Sequence, residues 1–239
     1  MLGPRALALL ATSCLATVTS SAAAGARIST RVQATQELAV LLTAHTAQAT
    51  PSAGSRRIAL VAARRPITGE QTTLPVLSRS IDAAGDRWLL VMLPGRPNGS
   101  TGWIPQKDTR PLVTPWRIVV NLARRRVMTY RDGHIVRSAQ AVVGKPSTPT
   151  PTGRFFVEET LRTPAGEAGG PFALALSARS NTLQEFEGGP GQIAIHGREN
   201  LGGTLGTAVS HGCIRIDTAG IDWLAVQVGP GTPVSIDAG

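Results

Sequence analysis

From residue 37 onward the chain is a succession of short apolar runs broken by turn residues. AVLLTAHTAQA, RIALVAA, TLPVLS and RWLLVMLP are separated by Pro, Gly and Asn at the spacing of a small all-β barrel over residues 37–112. The first run fits a helix from Glu37 to Ala44 equally well. Asn98-Gly99 predicts a hairpin turn, and Trp103 is placed in a core. After a Pro-rich joint, Pro105 to Pro115, the stretch WRIVVNLARRRVMTYRDGHIVRSAQAVVG alternates apolar and polar residues in two runs joined at Asp132-Gly133, a hairpin signal. KPSTPTPTGRFFV reads as a rigid loop feeding a further strand, because proline fixes the backbone and Gly153 allows the turn. FALALSA, QIAIHG and TPVSI read as strands, and Asp217 as the cap of a short helix from Thr218 to Val228. The expectation is a mostly β fold: a small barrel, then a β-rich domain with one short helix over residues 113–239, with no internal repeat.

The first residues are of another kind. One charge at Arg5, an apolar run from Ala6 to Val18 and then small residues give residues 1–26 the layout of a secretory signal peptide. Residues 27–36, rich in Ala, Thr and Ser, read as a tether. The apolar run is shorter than the roughly 20 residues that a membrane-crossing helix needs. The expectation is a secreted or periplasmic protein associated with the cell wall. It would touch the membrane only if Cys14 carried a lipid, and Ala11-Thr12-Ser13 suits lipid attachment poorly.

Charge adds little. The net charge of +9 is nearly all arginine, since only Lys107 and Lys145 are lysines. It fits attraction to an anionic wall or headgroup surface, and equally a compositional bias toward Ala, Arg, Gly and Pro. The arginines are scattered apart from Arg124-Arg125-Arg126 and lack an aromatic platform, so no nucleic-acid partner is expected.

Cysteine changes the picture. Once residues 1–26 are removed, Cys213 is the one cysteine left, in AVSHGCIRI. A thiol kept in an oxidising compartment is usually either buried and inert or retained for its chemistry. On an extended backbone His211, Cys213 and Arg215 share one face while Ile214 and Ile216 face the core. In IAIHG the same alternation buries Ile193 and Ile195 and sends His196 the other way, so two histidines and the thiol meet at a cleft. Either histidine would supply the base that thiol chemistry needs. Gly212 leaves nearby backbone N–H groups unshielded for a developing oxyanion. Together these are the parts of an acyl transfer.

Three duller readings compete. Cys213 is an inert core residue; or His196, His211 and Cys213 hold zinc, against which stands the tight His-x-Cys spacing; or Ser210 is the nucleophile, though no G-x-S-x-G surrounds it. His45 and His134 are expected to be ordinary surface residues.

IHG at 195–197 followed by SHGCIR at 210–215 resembles the signature of the L,D-transpeptidase catalytic domain, the YkuD-type fold. TPTPTGRF, IAIHG and GTPVSI agree in order and spacing, so the likeness covers about residues 115–237. Residues 37–112, through W…V.LPGRPNGSTGWI, resemble bacterial Src-homology-3-like domains that accompany wall enzymes. The catalytic resemblance implies Cys213 as nucleophile, His196 as general base and the Gly197 carbonyl as orienter of the imidazole. His211 and Gly212 would shape the oxyanion site with the Cys213 amide, and Ser210 would support the loop. Arg215, where many members have Asn, is assigned to a carboxylate of the substrate. The implied substrate is a peptidoglycan tetrapeptide stem, attacked at its third residue with release of the terminal D-alanine and transfer of the acyl group to an amine of a neighbouring stem. No metal or organic cofactor is implied, and β-lactams of the carbapenem class are the implied inhibitors. A carboxypeptidase of the same fold, giving the acyl group to water, and a non-catalytic wall-binding protein are the alternatives.

Overall fold

Pairing on both sides of β1 (Gln36–Leu41) decides the first ambiguity: the segment is a strand, not a helix. β1 runs antiparallel to β4 (Thr73–Ile81) and to β7 (Thr109–Thr114). Two hydrogen-bonding neighbours satisfy the backbone as a helix would, and also bury Leu38 and Val40. The computed structural model describes residues 32–186 and 188–239 and Met1. The expected signal peptide beyond Met1, Cys14 included, and the first half of the tether therefore lie outside the described residues.

β1, β4 and β7 join β2 (His45–Gln48), β3 (Arg57–Val61), β5 (Arg87–Met92) and β6 (Thr101–Pro105) in a seven-stranded sheet of order β3-β2-β6-β5-β4-β1-β7. The expected Pro-rich joint is largely strand β7, whose one proline, Pro111, stands at the sheet's edge, where a missing N–H is tolerated. Ile104 is fully buried in the core of this sheet, whereas Trp103, one residue earlier on the pleat, points to the other face and is half-buried. Asn98-Gly99 belongs to a longer loop between β5 and β6, not a two-residue hairpin. The Asn98 side chain is engaged elsewhere: it bonds the backbone N–H and C=O of Arg179 at 2.8 and 2.7 Å.

The second sheet has eight strands. It contains β8 (Trp116–Asn121), β9 (Arg126–Arg131), β10 (His134–Gln140), β12 (Gly153–Arg162), β13 (Phe172–Arg179), β14 (Gln192–His196), β16 (Ile214–Arg215) and β17 (Pro233–Asp237). Their order is β10-β9-β8-β17-β12-β13-β14-β16. Asp132-Gly133 makes the expected two-residue turn, both residues at positive φ (51° and 80°), as a type I′ hairpin requires. The stretch before it is two strands, because a turn at residues 122–125 splits it. Val143–Gly144 (β11) and Ala208–Ser210 (β15) form a small parallel pair. The helix α1 (Thr218–Gln227) starts at the Asp217 cap, whose carboxylate accepts the Gly220 N–H at 2.5 Å. With one helix among seventeen strands in the described residues, the fold is mostly β.

β12 ties the two sheets together. Its adjacent Phe155 and Phe156 point to opposite faces, Phe155 into the core of the second sheet and Phe156 into that of the first. Just beyond, the buried Glu158 carboxylate is paired with Arg179 of β13, at 3.1 Å, and with Arg65 of the loop after β3. Unpaired, a carboxylate there would be strongly disfavoured. His45, expected at the surface, is buried, its two ring nitrogens 2.9 and 3.0 Å from the Thr43 and Lys107 carbonyl oxygens. His134 is exposed.

Candidate active site

β14 and β16 run parallel at the end of the second sheet, with Ile195 registered against Ile214 and His196 against Arg215. Ile193, Ile195, Ile214 and Ile216 are all buried, so the pleat sends His196, Cys213 and Arg215 to the opposite side. Strand geometry covers only Ile214–Arg215. His211 and Gly212 form a bend, with Gly212 at φ +120°, a conformation that residues with a Cβ rarely adopt.

The imidazole of His196 is held on one side. Its Nδ1 lies 2.8 Å from its neighbour's carbonyl oxygen, that of Gly197. With the proton on Nδ1, that nitrogen donates and Nε2 is the basic one. Burial holds the imidazole below its ordinary range by disfavouring the charged form, and the Arg215 guanidinium adds to this. The carbonyls of Gly197 and Gly169 act in the opposite direction. Gly169 is pressed against the ring: a Cβ there would come within 2.8 Å of Nδ1. Gly197 is equally confined, because a Cβ would overlap the Gly170 carbonyl oxygen. Gly169 and Gly170 belong to the turn before β13 and have no motif that marks them in the sequence.

The cysteine loop is held from inside. Ser210 is fully buried; its hydroxyl donates to the Cys213 carbonyl at 2.6 Å and accepts the Gly212 N–H at 3.2 Å. The Gly212 amide is thus engaged by Ser210. Thr150 Oγ1 donates to the Gly212 carbonyl at 2.8 Å, and the Ser210 carbonyl accepts from the Lys145 N–H and from Thr148 Oγ1. The loop read from KPSTPTPT as rigid is therefore a cradle for the cysteine loop. Its alternating threonines supply the hydroxyls, and its prolines fix the spacing.

His196, His211, Cys213 and Arg215 line one pocket of about 570 Å³. Cys213 is half-buried, its Sγ 4.0 Å from the Gln192 carbonyl oxygen. His211 is exposed and stacks on Phe186, ring centroids 5.5 Å apart, with its Nε2 3.4 Å from Lys145 Nζ. Arg215 donates from Nη1 to the Gly202 carbonyl at 2.9 Å, which ties it to the loop after β14. Among the described residues no group of three or more His, Cys, Asp or Glu side chains has a metal-binding arrangement. A thiol and a half-buried imidazole with one nitrogen fixed, lining one pocket of about 570 Å³, are suited to acyl transfer through a thioester.

The model of the L,D-transpeptidase catalytic domain, YkuD, matches residues 115–236. The chain belongs to this family. The YkuD proteins of Bacillus subtilis and Bacillus licheniformis, both carrying provisional L,D-transpeptidase names, are 31% and 34% identical to it. Each match spans 53% of this chain, and 69% and 68% of the relatives. Among solved structures, an L,D-transpeptidase from Mycobacterium tuberculosis aligns with a TM-score of 0.44 at 18% identity, over 70% of this chain and 90% of that one. An Enterococcus faecium L,D-transpeptidase aligns with a TM-score of 0.40 at 23% identity, over 51% of this chain and 49% of that one. In this L,D-transpeptidase-family chain the matched segment takes in every residue of the second sheet except the last of β17, and all of the cysteine loop. Among the described residues no helix is long and apolar enough to cross a membrane.

Proposed function

We propose that the protein is an exported, wall-associated peptidoglycan L,D-transpeptidase that works through a Cys213 thioester. The observation that carries this reading is the fixed orientation of His196: Nδ1 is held at 2.8 Å by Gly197, so Nε2 is the nitrogen available to the thiol in the shared pocket. His196 Nε2 takes the thiol proton, and Sγ attacks the carbonyl carbon of the third stem residue. The oxyanion that forms is stabilised by the Cys213 amide in the bend shaped by His211 and Gly212. The C–N bond to the terminal D-alanine then breaks, and the imidazolium returns the proton to the leaving amine. An amine of a second stem attacks the thioester, loses its proton to His196, and leaves a cross-link and the restored thiol.

In this assignment Ser210 is a positioning residue, and Arg215, besides holding Gly202, faces the substrate carboxylate. Residues 37–112 are assigned to a Src-homology-3-like domain and residues 113–239 to the catalytic domain, with residues 1–26 as the signal peptide. Carbapenems are proposed to acylate the same thiol. The test is mass spectrometry of purified tetrapeptide stems incubated with the enzyme. Cross-linked dimers lacking one D-alanine support the transpeptidase, tripeptides alone the carboxypeptidase, and unchanged stems overturn both.

A further inference from the structure

We infer that the first sheet completes the substrate pocket: Ile67, in the loop between β3 and β4, is a contact for the aliphatic side chain of the donor stem's third residue. This rests on the function proposed above and extends its site beyond the segment that matches the family, residues 115–236. Ile67 lines the same pocket as His196 and Cys213 while keeping 67% of its surface exposed. A singly exposed isoleucine is ordinary on a protein surface. The loop that carries this one is not ordinary.

It is closed on itself by Arg64, whose Nη1 donates to the Gly69 carbonyl at 2.7 Å, and by the Arg65 N–H, which donates to the Glu70 carbonyl at 2.8 Å. It is then pinned to the second sheet on both sides of Ile67. Arg65 pairs with the buried Glu158, and the Thr68 N–H and hydroxyl donate to Glu159 Oε2 at 3.1 and 2.9 Å. Glu158 and Glu159 both lie on β12, and both are buried. An apolar side chain is thus fixed at the pocket's rim from two sides with its own surface uncovered, the arrangement of a preorganised contact.

The loop between β5 and β6 holds a further part of the pocket lining. The Arg96 guanidinium donates to the carbonyls of Ser180, Leu183 and Pro190, at 2.8, 3.1 and 2.9 Å, and Ser180, Leu183 and Pro190 line the pocket. The Arg96 contacts fix main-chain carbonyls of the wall, and the Glu159 carboxylate near Ile67 is engaged by the Thr68 N–H and hydroxyl. The pocket's lining includes Ile67, Ala168 and Leu201, and Ile67 is itself apolar, so the chemistry that fits Ile67 is a methylene chain rather than a carboxylate or amine.

The test is steady-state kinetics of cross-linking by the full chain, with a tetrapeptide donor whose third residue has a methylene side chain, for the wild type, Ile67→Ser and Ile67→Leu. Iodoacetamide alkylation of Cys213 serves as the check that the thiol site is intact. Loss of one apolar contact made equally in ground and transition states raises KM and leaves kcat in place. Ile67→Ser should raise the donor KM about fivefold to tenfold, and Ile67→Leu should stay within about twofold of wild type. Wild-type turnover with the donor KM unmoved in Ile67→Ser overturns the inference and leaves the proposed function standing. Absence of turnover by the alkylation-competent wild type overturns both.

Discussion

His196 and Arg215 are registered side by side on neighbouring parallel strands, and the Ile216 N–H donates to the His196 carbonyl at 3.0 Å. The guanidinium therefore has a fixed place next to the imidazole. Together with burial it keeps His196 in the neutral, basic form at pH values where an ordinary histidine would already be charged.

The acid limb of Cys213 acylation is accordingly expected below 6.5, the ordinary histidine value. Arg215→Gln removes one of the two lowering causes and should move that limb upward. For stability the sign is opposite to that of a stabilising ion pair: as pH falls below 6.5 the unfolded chain takes up its proton first, so His196 progressively weakens the fold on acidification. The pH dependence of carbapenem acylation, followed by intact mass for both proteins, checks the first point. An acid limb at or above 6.5 in the wild type removes the assignment.

Cys213→Ala should abolish stem turnover and the carbapenem adduct while the melting temperature stays close to that of the wild type, because the half-buried side chain contributes little packing. Turnover by the alanine variant within about tenfold of wild type would end the thiol mechanism.

His196→Ala should lower acylation by about 10² or more, the scale of a positioned general base. His211→Ala, at an exposed residue stacked on Phe186, should disturb the fit of substrate and leave the thiol's own titration in place. Iodoacetamide rates against pH separate the two. If His211→Ala raised the thiol's apparent pKa and His196→Ala did not, their roles would be exchanged.

Ser210→Ala leaves the buried Gly212 N–H and the Cys213 carbonyl without the hydroxyl they share, at a cost of about 1–3 kcal/mol. Chemical denaturation should show this loss. Gly212→Ala adds strain at φ +120° and brings a Cβ to 3.0 Å from Ile193 Cδ1, so it should impair acylation even where the fold survives.

Arg96→Ala should raise hydrogen exchange in residues 180–191 by freeing three main-chain carbonyls, with little change in β14 or β16. Unchanged exchange there would show that the clamp contributes nothing to the wall.

Much of the second sheet was legible because its signals are local. Period-two burial of Ile193 and Ile195 against His196, the Asp132-Gly133 turn and the Asp217 cap each depend on residues within a few positions of one another. The segment Glu37 to Ala44 was ambiguous because a short apolar run satisfies either period; pairing with β4 and β7, tens of residues away, decided it. Trp103 departs from its expected place in a core because aromatic bulk gives no sign of which face of a strand it occupies, and the pleat gives the core to Ile104. The burial of His45 has no local sign because the carbonyl near Nε2, that of Lys107, is remote in the sequence.

By itself the sequence determined the chemistry that could be gathered: a thiol, two histidines and an arginine, of which only His196 and Arg215 stand on strands while His211 and Cys213 belong to the loop before β16. Tertiary structure alone decided what holds them there. Gly169 against the His196 ring, the Thr148 and Thr150 hydroxyls under the cysteine loop, Phe156 in the core of the first sheet, and the Ile67 and Arg96 loops at the pocket all join residues far apart in the chain. Such contacts leave no local period, because each depends on how sheets and loops pack and not on the alternation within any one strand.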